Sequence, residues 1–195
     1  MTDQLPNNSD LEPMTRSQIL IAMGVTAAIL LVVAKIWLAV GSVTQIPTQL
    51  QLESLAVGGV LGLAITAASA LVYALWPGYR QSADLYLAMV LSPLSYPDLI
   101  WLGLLPGLSE EFLFRGVMIP ALGFNAIALI LSSACFGILH LSGSSQWPYV
   151  IWATLVGLAL GYSALATGNL LVPIFAHIIT NIASSLTWKL GNSPS

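Results

Sequence analysis

The sequence predicts an all-α protein, a polytopic bundle of about six transmembrane helices with one short interfacial or re-entrant helix. Of its 195 residues, 57% are hydrophobic and 13 are charged, eight acidic and five basic. Soluble domains carry about 25% charged residues, so a charged share of 7% cannot cover a water-facing surface. The apolar residues also form long runs. A helix of about 20 such residues is long enough to cross the bilayer core. A helix makes all of its backbone hydrogen bonds within itself, as a segment surrounded by lipid must.

The same counts exclude other classes of protein. So little charge is inconsistent with a soluble globular domain and with intrinsic disorder. The net charge of −3 argues against a nucleic-acid partner, because binding nucleic acid requires clustered Lys and Arg. The single cysteine, Cys135, cannot form an internal disulfide.

The N-terminal half is predicted to hold a tail and the first membrane helices. Residues 1–16 are polar and rich in Pro and Asn, and form a short tail rather than a signal peptide. Residues 17–97 form the N-terminal membrane helices. These comprise two spans, a turn and the short helix, in the order 17–41, 54–76, 77–80 and 83–94.

The second half is predicted to be a four-helix core, residues 98–188, followed by a C-terminal tail, residues 189–195. Its spans are expected at residues 98–121, 125–141, 148–167 and 170–188. Their short connections make neighbouring spans antiparallel. Small residues at Gly58-x-x-x-Gly62 and Gly157-x-x-x-Gly161 offer surfaces for close helix packing, or are incidental in helices of this kind.

A cluster of charges interrupts the third span. Residues 99–109 and 116–188 carry no charge, whereas Glu110, Glu111 and Arg115 fall within six residues. A charge in the middle of a bilayer costs about 2.5–3.5 kcal/mol, so these three must pair or face a polar cavity. Glu111 and Arg115 are four residues apart and can pair on one helix face. Glu110 is then the candidate general base; the structural alternative is a buried ion pair with a spare acid.

Both histidines of the chain follow on later spans. His140 ends the sequence Phe136-Gly-Ile-Leu-His140, and His177 precedes Asn181 by four residues. The N–H groups of His177 and Asn181 could hold a developing oxyanion, although alone they could equally be a polar clamp between helices. Acid, imidazole and amide on three of four consecutive antiparallel helices are expected to converge on one cavity, where they would hydrolyse an amide bond with an activated water.

Other chemistries stay open at this point. A Ser–His enzyme would use one of three nearby serines, Ser109, Ser132 or Ser133. Ligand type alone would allow a metal held by Glu110, His140 and His177, although the His-Glu-x-x-His motif of many zinc proteases is absent. A non-catalytic membrane scaffold or adaptor and a small transporter would also bury polar residues in the bilayer.

The ordered set of motifs resembles a known family. It is similar to the CPBP family of CAAX proteases and bacteriocin-processing enzymes (Abi), which includes the type II CAAX prenyl endopeptidases. The resemblance covers about residues 98–188. It rests on three motifs: Glu110-Glu111-x-x-x-Arg115, Phe136-x-x-x-His140 and His177-x-x-x-Asn181.

The resemblance implies a metal-independent intramembrane glutamic endopeptidase that uses no cofactor. Glu110 and His140 would activate the water, and His177 and Asn181 would stabilise the oxyanion. Two supporting residues, Glu111 and Arg115, would shape the site. The implied partners are a peptide or protein substrate, with or without a lipid modification, and the lipid bilayer, with no nucleic acid. The implied location is the plasma or inner membrane, or the thylakoid membrane in a photosynthetic source.

Overall fold

A computed structural model of the protein describes residues 14–192 as a bundle of helices, and the predicted all-α fold is confirmed. A π-helical segment, Phe112–Met118, joins α4 to α5, and a 3-10 turn, Ser144–Gln146, precedes α7. In chain order the helices are α1 (Arg16–Gly41), α2 (Leu52–Leu75), α3 (Pro77–Leu91), α4 (Asp98–Glu111), α5 (Ile119–Ala121), α6 (Ala126–Leu139), α7 (Trp147–Thr167) and α8 (Leu171–Gly191).

Within the described residues, α1, α2, α7 and α8 are long and apolar enough to cross a membrane. The third predicted span is one continuous helical segment, formed by α4, the π segment and α5. The fourth is shorter than expected: α6 has 14 residues and a length of about 21 Å. The side chain of Asn125 caps its start and His140 follows its end.

The ends of the chain fall mostly outside the described residues. Residues 1–13 and 193–195 of the two predicted tails are not described. At the inner border of each tail the structure differs slightly from the prediction, because α1 begins at Arg16 and α8 continues to Gly191.

The prediction of a turn at residues 77–80 is wrong. These residues form the first turn of α3, which begins immediately after Trp76. Proline is well tolerated at the first helical position, where its missing N–H costs no hydrogen bond. The earlier start places Tyr79 and Tyr86 seven residues apart on one face of α3.

Glycines allow α8 to approach its neighbours closely. A Cβ atom added to Gly58 would lie 2.7 Å from the main-chain oxygen of Val172, and one added to Gly62 would lie 2.6 Å from that of Ala176. Gly103 of α4 also abuts α8, with no room for a Cβ. The first small-residue motif is therefore a helix–helix contact, of the kind common in membrane bundles.

Gly62→Ala is expected to destabilise the protein by about 1–3 kcal/mol. The oxygen of Ala176 belongs to the backbone, so relieving the overlap requires α8 to move. Thermal unfolding in detergent measures the effect. Gly24→Ala in α1 is the matched control, since nothing lies within 4 Å of its added Cβ. Equal destabilisation by both substitutions would contradict a close-packing role for Gly62.

The connection between α1 and α2 is an extended segment held against the core. The main-chain N–H of Ile46 donates to the carbonyl of Gly116, inside the π segment, at 3.2 Å. Farther along, the side chain of Asn169 bonds to both the N–H and the carbonyl of Gln49, each at 2.9 Å. This connection therefore contacts the π segment that follows Glu111 and holds it through a main-chain hydrogen bond.

Candidate active site

A cavity of about 610 Å³ lies among α2, α3, α4, α6, α7 and α8. Its wall includes all four residues that the sequence predicts as catalytic, Glu110, His140, His177 and Asn181. The supporting pair lies behind this wall, where Glu111 and Arg115 are fully buried. The helices therefore bring together side chains that are up to 71 positions apart in the sequence.

Glu110 is the carboxylate that faces the cavity without a protein partner. Its side chain stands in the last turn of α4 and is only 7% exposed. Its buried Oε2 atom accepts no hydrogen bond from the described residues. Because that atom is closed to solvent, a water in the cavity can reach only the other oxygen of this carboxylate.

Glu111 is shared between two donors. Its Oε1 atom accepts from Nη1 of Arg115 at 2.8 Å and from Nδ1 of His177 at 2.7 Å. The other end of the guanidinium donates from Nη2 to the carbonyl of Gly157 at 3.0 Å. A Cβ at Gly157 would lie 3.2 Å from Nη2 of Arg115, so the second small-residue motif makes room for the arginine.

One ring nitrogen of His140, a residue of the cavity wall, lies against a backbone carbonyl. His140 follows the last residue of α6, and its Nδ1 atom lies 2.9 Å from the carbonyl oxygen of Phe136. A carbonyl only accepts, so Nδ1 carries the proton and Nε2 keeps its lone pair in the neutral ring. This tautomer suits a group that accepts a proton from water.

Phe136 separates the buried ion pair from the cavity. Its ring centroid lies 4.2 Å from Cζ of Arg115, and 4.9 Å and 5.7 Å from the rings of His140 and His177. Phe136 begins one of the three motifs, but its position in the sequence predicts no role for it. The structure shows it in contact with three of the predicted site residues.

Asn181 lies one helical turn beyond His177 on α8. Its Nδ2 atom makes one long contact, 3.4 Å, to the carbonyl of Leu102, close to the limit for a hydrogen bond. An amide nitrogen has two N–H groups, so this contact leaves donor capacity for a ligand in the cavity.

Sequence reasoning missed two tyrosines of the cavity wall, Tyr86 on α3 and Tyr149 on α7. Their ring centroids lie 6.2 Å and 6.1 Å from that of His140. Burial, and secondarily the charge of Glu110, raises the pKa of Tyr86 to about 12, so the phenol stays protonated at neutral pH. Tyrosine is also frequent at membrane interfaces, so composition alone does not distinguish a site residue; the seven-residue spacing from Tyr79 was the available indication.

The three candidate serines and the possible metal ligands are placed as follows in the described residues. The hydroxyls of three serines donate to main-chain carbonyls rather than to a histidine: Ser109 to Leu105, Ser132 to Phe114 and Ser133 to Leu129. In the described part of the chain, no three His, Cys, Asp or Glu side chains are grouped as the ligands of a metal would be.

Comparison with known proteins identifies the region that carries these residues. Residues 92–183 match the family model described as Rce1-like, "Type II CAAX prenyl endopeptidase Rce1-like". "Uncharacterized protein YpbD" of Bacillus subtilis (strain 168) is 39% identical over 90 residues, which are 46% of this chain and 45% of that protein. This chain thus matches less than half the length of that relative. No solved structure matches.

All six predicted site residues lie inside the matched region, which overlaps the predicted four-helix core. The family is one of membrane proteases, and the described helices include four that can span a bilayer. Residues 92–183, just under half of this chain, are therefore similar to the Rce1-like type II CAAX prenyl endopeptidases.

Proposed function

We propose that this protein is an intramembrane glutamic endopeptidase that hydrolyses a peptide bond with a water activated by Glu110 and His140. The observation that carries the proposal is the unpaired, buried carboxylate of Glu110 on the same cavity as His140, His177 and Asn181. The family match supports proteolysis of the CAAX type. The motif resemblance implies that no metal takes part.

Glu110 takes a proton from a water held between its carboxylate and Nε2 of His140. The water oxygen then forms a bond to the carbonyl carbon of the substrate, and the carbonyl electrons move to its oxygen. When this intermediate collapses, the carbon–nitrogen bond breaks and the abstracted proton passes to the leaving amine. His140 orients the water by accepting its second hydrogen at Nε2.

Asn181 and His177 hold the oxyanion that forms in the first step. Nδ1–H of His177 is already engaged by Glu111, so its ring donates from Nε2 only as an imidazolium. The carboxylate of Glu111, which also accepts from Arg115, lies where it balances this charge. Glu111, Arg115 and protonated His177 then carry a net positive charge together, which stabilises the oxyanion as electrostatic catalysis requires.

Asn181→Ala is expected to lower kcat by about 100- to 1,000-fold with little change in KM. The substitution removes only one long hydrogen bond from the folded protein, so thermal stability should change little. Peptide cleavage in proteoliposomes measures both constants. Gln81→Ala is the matched control, because it removes an exposed amide of α3 that does not line the cavity. A loss of stability equal to the loss of rate would instead indicate a structural clamp.

The substrate is proposed to be a membrane-associated peptide or protein, with or without a lipid modification. The proposed location is the plasma or inner membrane, or the thylakoid membrane of a photosynthetic cell. The decisive experiment incubates proteoliposomes with membrane-anchored peptides, prenylated and unprenylated, and identifies new termini by mass spectrometry. Cleavage that persists in chelator supports the proposed reaction. Absence of new termini from every peptide would favour the non-catalytic scaffold, and loss in chelator with recovery on adding Zn²⁺ would overturn the metal-free mechanism.

A further inference from the structure

His140 stands at the end of a helix, so a helical turn precedes it but none follows it. It caps α6 with φ −90° and ψ 6°, and residues 141–146 after it form a connection to α7. A helix-terminal residue lacks a following turn to restrict its side chain. The orientation of this imidazole therefore depends on its neighbours in other helices.

Three aromatic rings surround the imidazole. Phe136, from the preceding turn of α6, lies 4.9 Å away between centroids, and Tyr149 and Tyr86 lie at 6.1 Å and 6.2 Å. These distances are within the range in which aromatic rings attract one another. Phe136 moves with α6, whereas the two tyrosines come from α7 and α3 and so fix the ring relative to the rest of the bundle.

Tyr149 is itself fixed by α3. Its ring stacks on Tyr86 at 4.6 Å with an angle of 25° between planes, and on Tyr79 at 6.1 Å with an angle of 5°. Tyr79 also meets Trp152 of α7 edge-on at 5.9 Å. The two helices are thus joined by a three-tyrosine stack that stands beside His140.

We propose that Tyr149 and Tyr86 are positioning residues, which hold the His140 ring with Nδ1 on the Phe136 carbonyl and Nε2 toward the cavity. The catalytic consequence rests on the proposed function, whereas the orientation of the ring does not. Tyr86 lies on α3, before residues 92–183. The site of this chain is therefore completed by a helix outside the region that matches the family.

The chain has two histidines, which permits a direct test by NMR. In protein labelled with ¹⁵N-histidine, His140 is expected to show one neutral tautomer, protonated at Nδ1. Tyr149→Leu and Tyr86→Leu should give a mixture of tautomers, and Tyr149→Phe should restore the single form because the ring is kept. Tyr162→Leu is the matched control on α7, since Tyr162 is 66% exposed.

The resonances of His177 report whether each variant is folded, because its Nδ1 depends on the buried Glu111. If a leucine variant loses them, Tyr149→Met, which refills the space without a ring, takes its place. In folded variants, kcat should fall about tenfold with KM unchanged, and Tyr149→Phe should recover the rate. A mixture of His140 tautomers in the leucine variants, together with no peptide cleavage by the unsubstituted protein, would support the positioning role and contradict the proposed function. A single Nδ1–H tautomer and full kcat in both leucine variants would overturn the positioning role.

Discussion

Glu110→Gln is expected to lower peptide hydrolysis by about 100- to 10,000-fold while leaving the protein folded. Glutamine keeps the size of the side chain but cannot accept the proton of the attacking water. The fold should tolerate the change, because the buried Oε2 of Glu110 has no hydrogen-bond partner to lose among residues 14–192. Stability should stay the same or rise, since an unpaired buried charge costs free energy.

The measurement is the cleavage rate of purified protein in proteoliposomes, with thermal unfolding recorded on the same samples. Glu53→Gln is the matched control: it makes the same chemical change at an exposed position in the first turn of α2. It should leave cleavage unchanged. Undiminished cleavage by the Glu110 variant would remove that residue from the role of base.

Arg115→Met is expected to destabilise the protein by about 3–5 kcal/mol, the usual cost of breaking a buried ion pair by removing one partner. Arg115 and Glu111 are both fully buried. Without the guanidinium, the Glu111 carboxylate keeps only His177 as a donor, and the carbonyl of Gly157 loses its partner. Folded yield and unfolding temperature in detergent should both fall.

Arg80→Met on α3 is the control, because that arginine is exposed and exposed charges contribute little to stability. A double-mutant cycle sharpens the test. Glu111→Gln combined with Arg115→Met should cost less than the sum of the two single changes, since no unpaired charge is left behind. Additive effects, or normal stability in Arg115→Met alone, would contradict the ion pair.

Together, Glu110→Gln and Arg115→Met distinguish the proposed roles of the two adjacent carboxylates. Glu110 and Glu111 are neighbours in the chain, but one faces the cavity and the other is enclosed by Arg115 and His177. Substitution of the first should affect turnover, and substitution of the second should affect folding. We therefore propose different roles for two residues of the same type, because the two positions point about 100° apart around the helix.

The presence of membrane helices was predictable because it depends on long apolar runs. Their exact boundaries and the π segment were not. The turn expected at residues 77–80 is helical because proline is compatible with a first turn. The π segment at Phe112–Met118 left no pattern in the residues, since its geometry depends on contacts such as that of Gly116 with Ile46. The span that contains α6 is short because the helix ends at Leu139, two residues before the predicted end, and His140 leaves the α-helical conformation there.

Composition and local spacing were enough to predict a membrane protein and the chemical groups of its candidate site. Charge scarcity is a property of composition, and the i, i+4 spacing of Glu111 with Arg115 and of His177 with Asn181 is a property of any helix. The packing of the helices sets the rest: Oε2 of Glu110 is left without a hydrogen-bond partner among the described residues, and Nδ1 of each histidine lies against an acceptor. It also places Tyr86 and Tyr149 beside His140. Those outcomes depend on hydrogen bonds and ring contacts between helices distant in sequence, which no local pattern encodes.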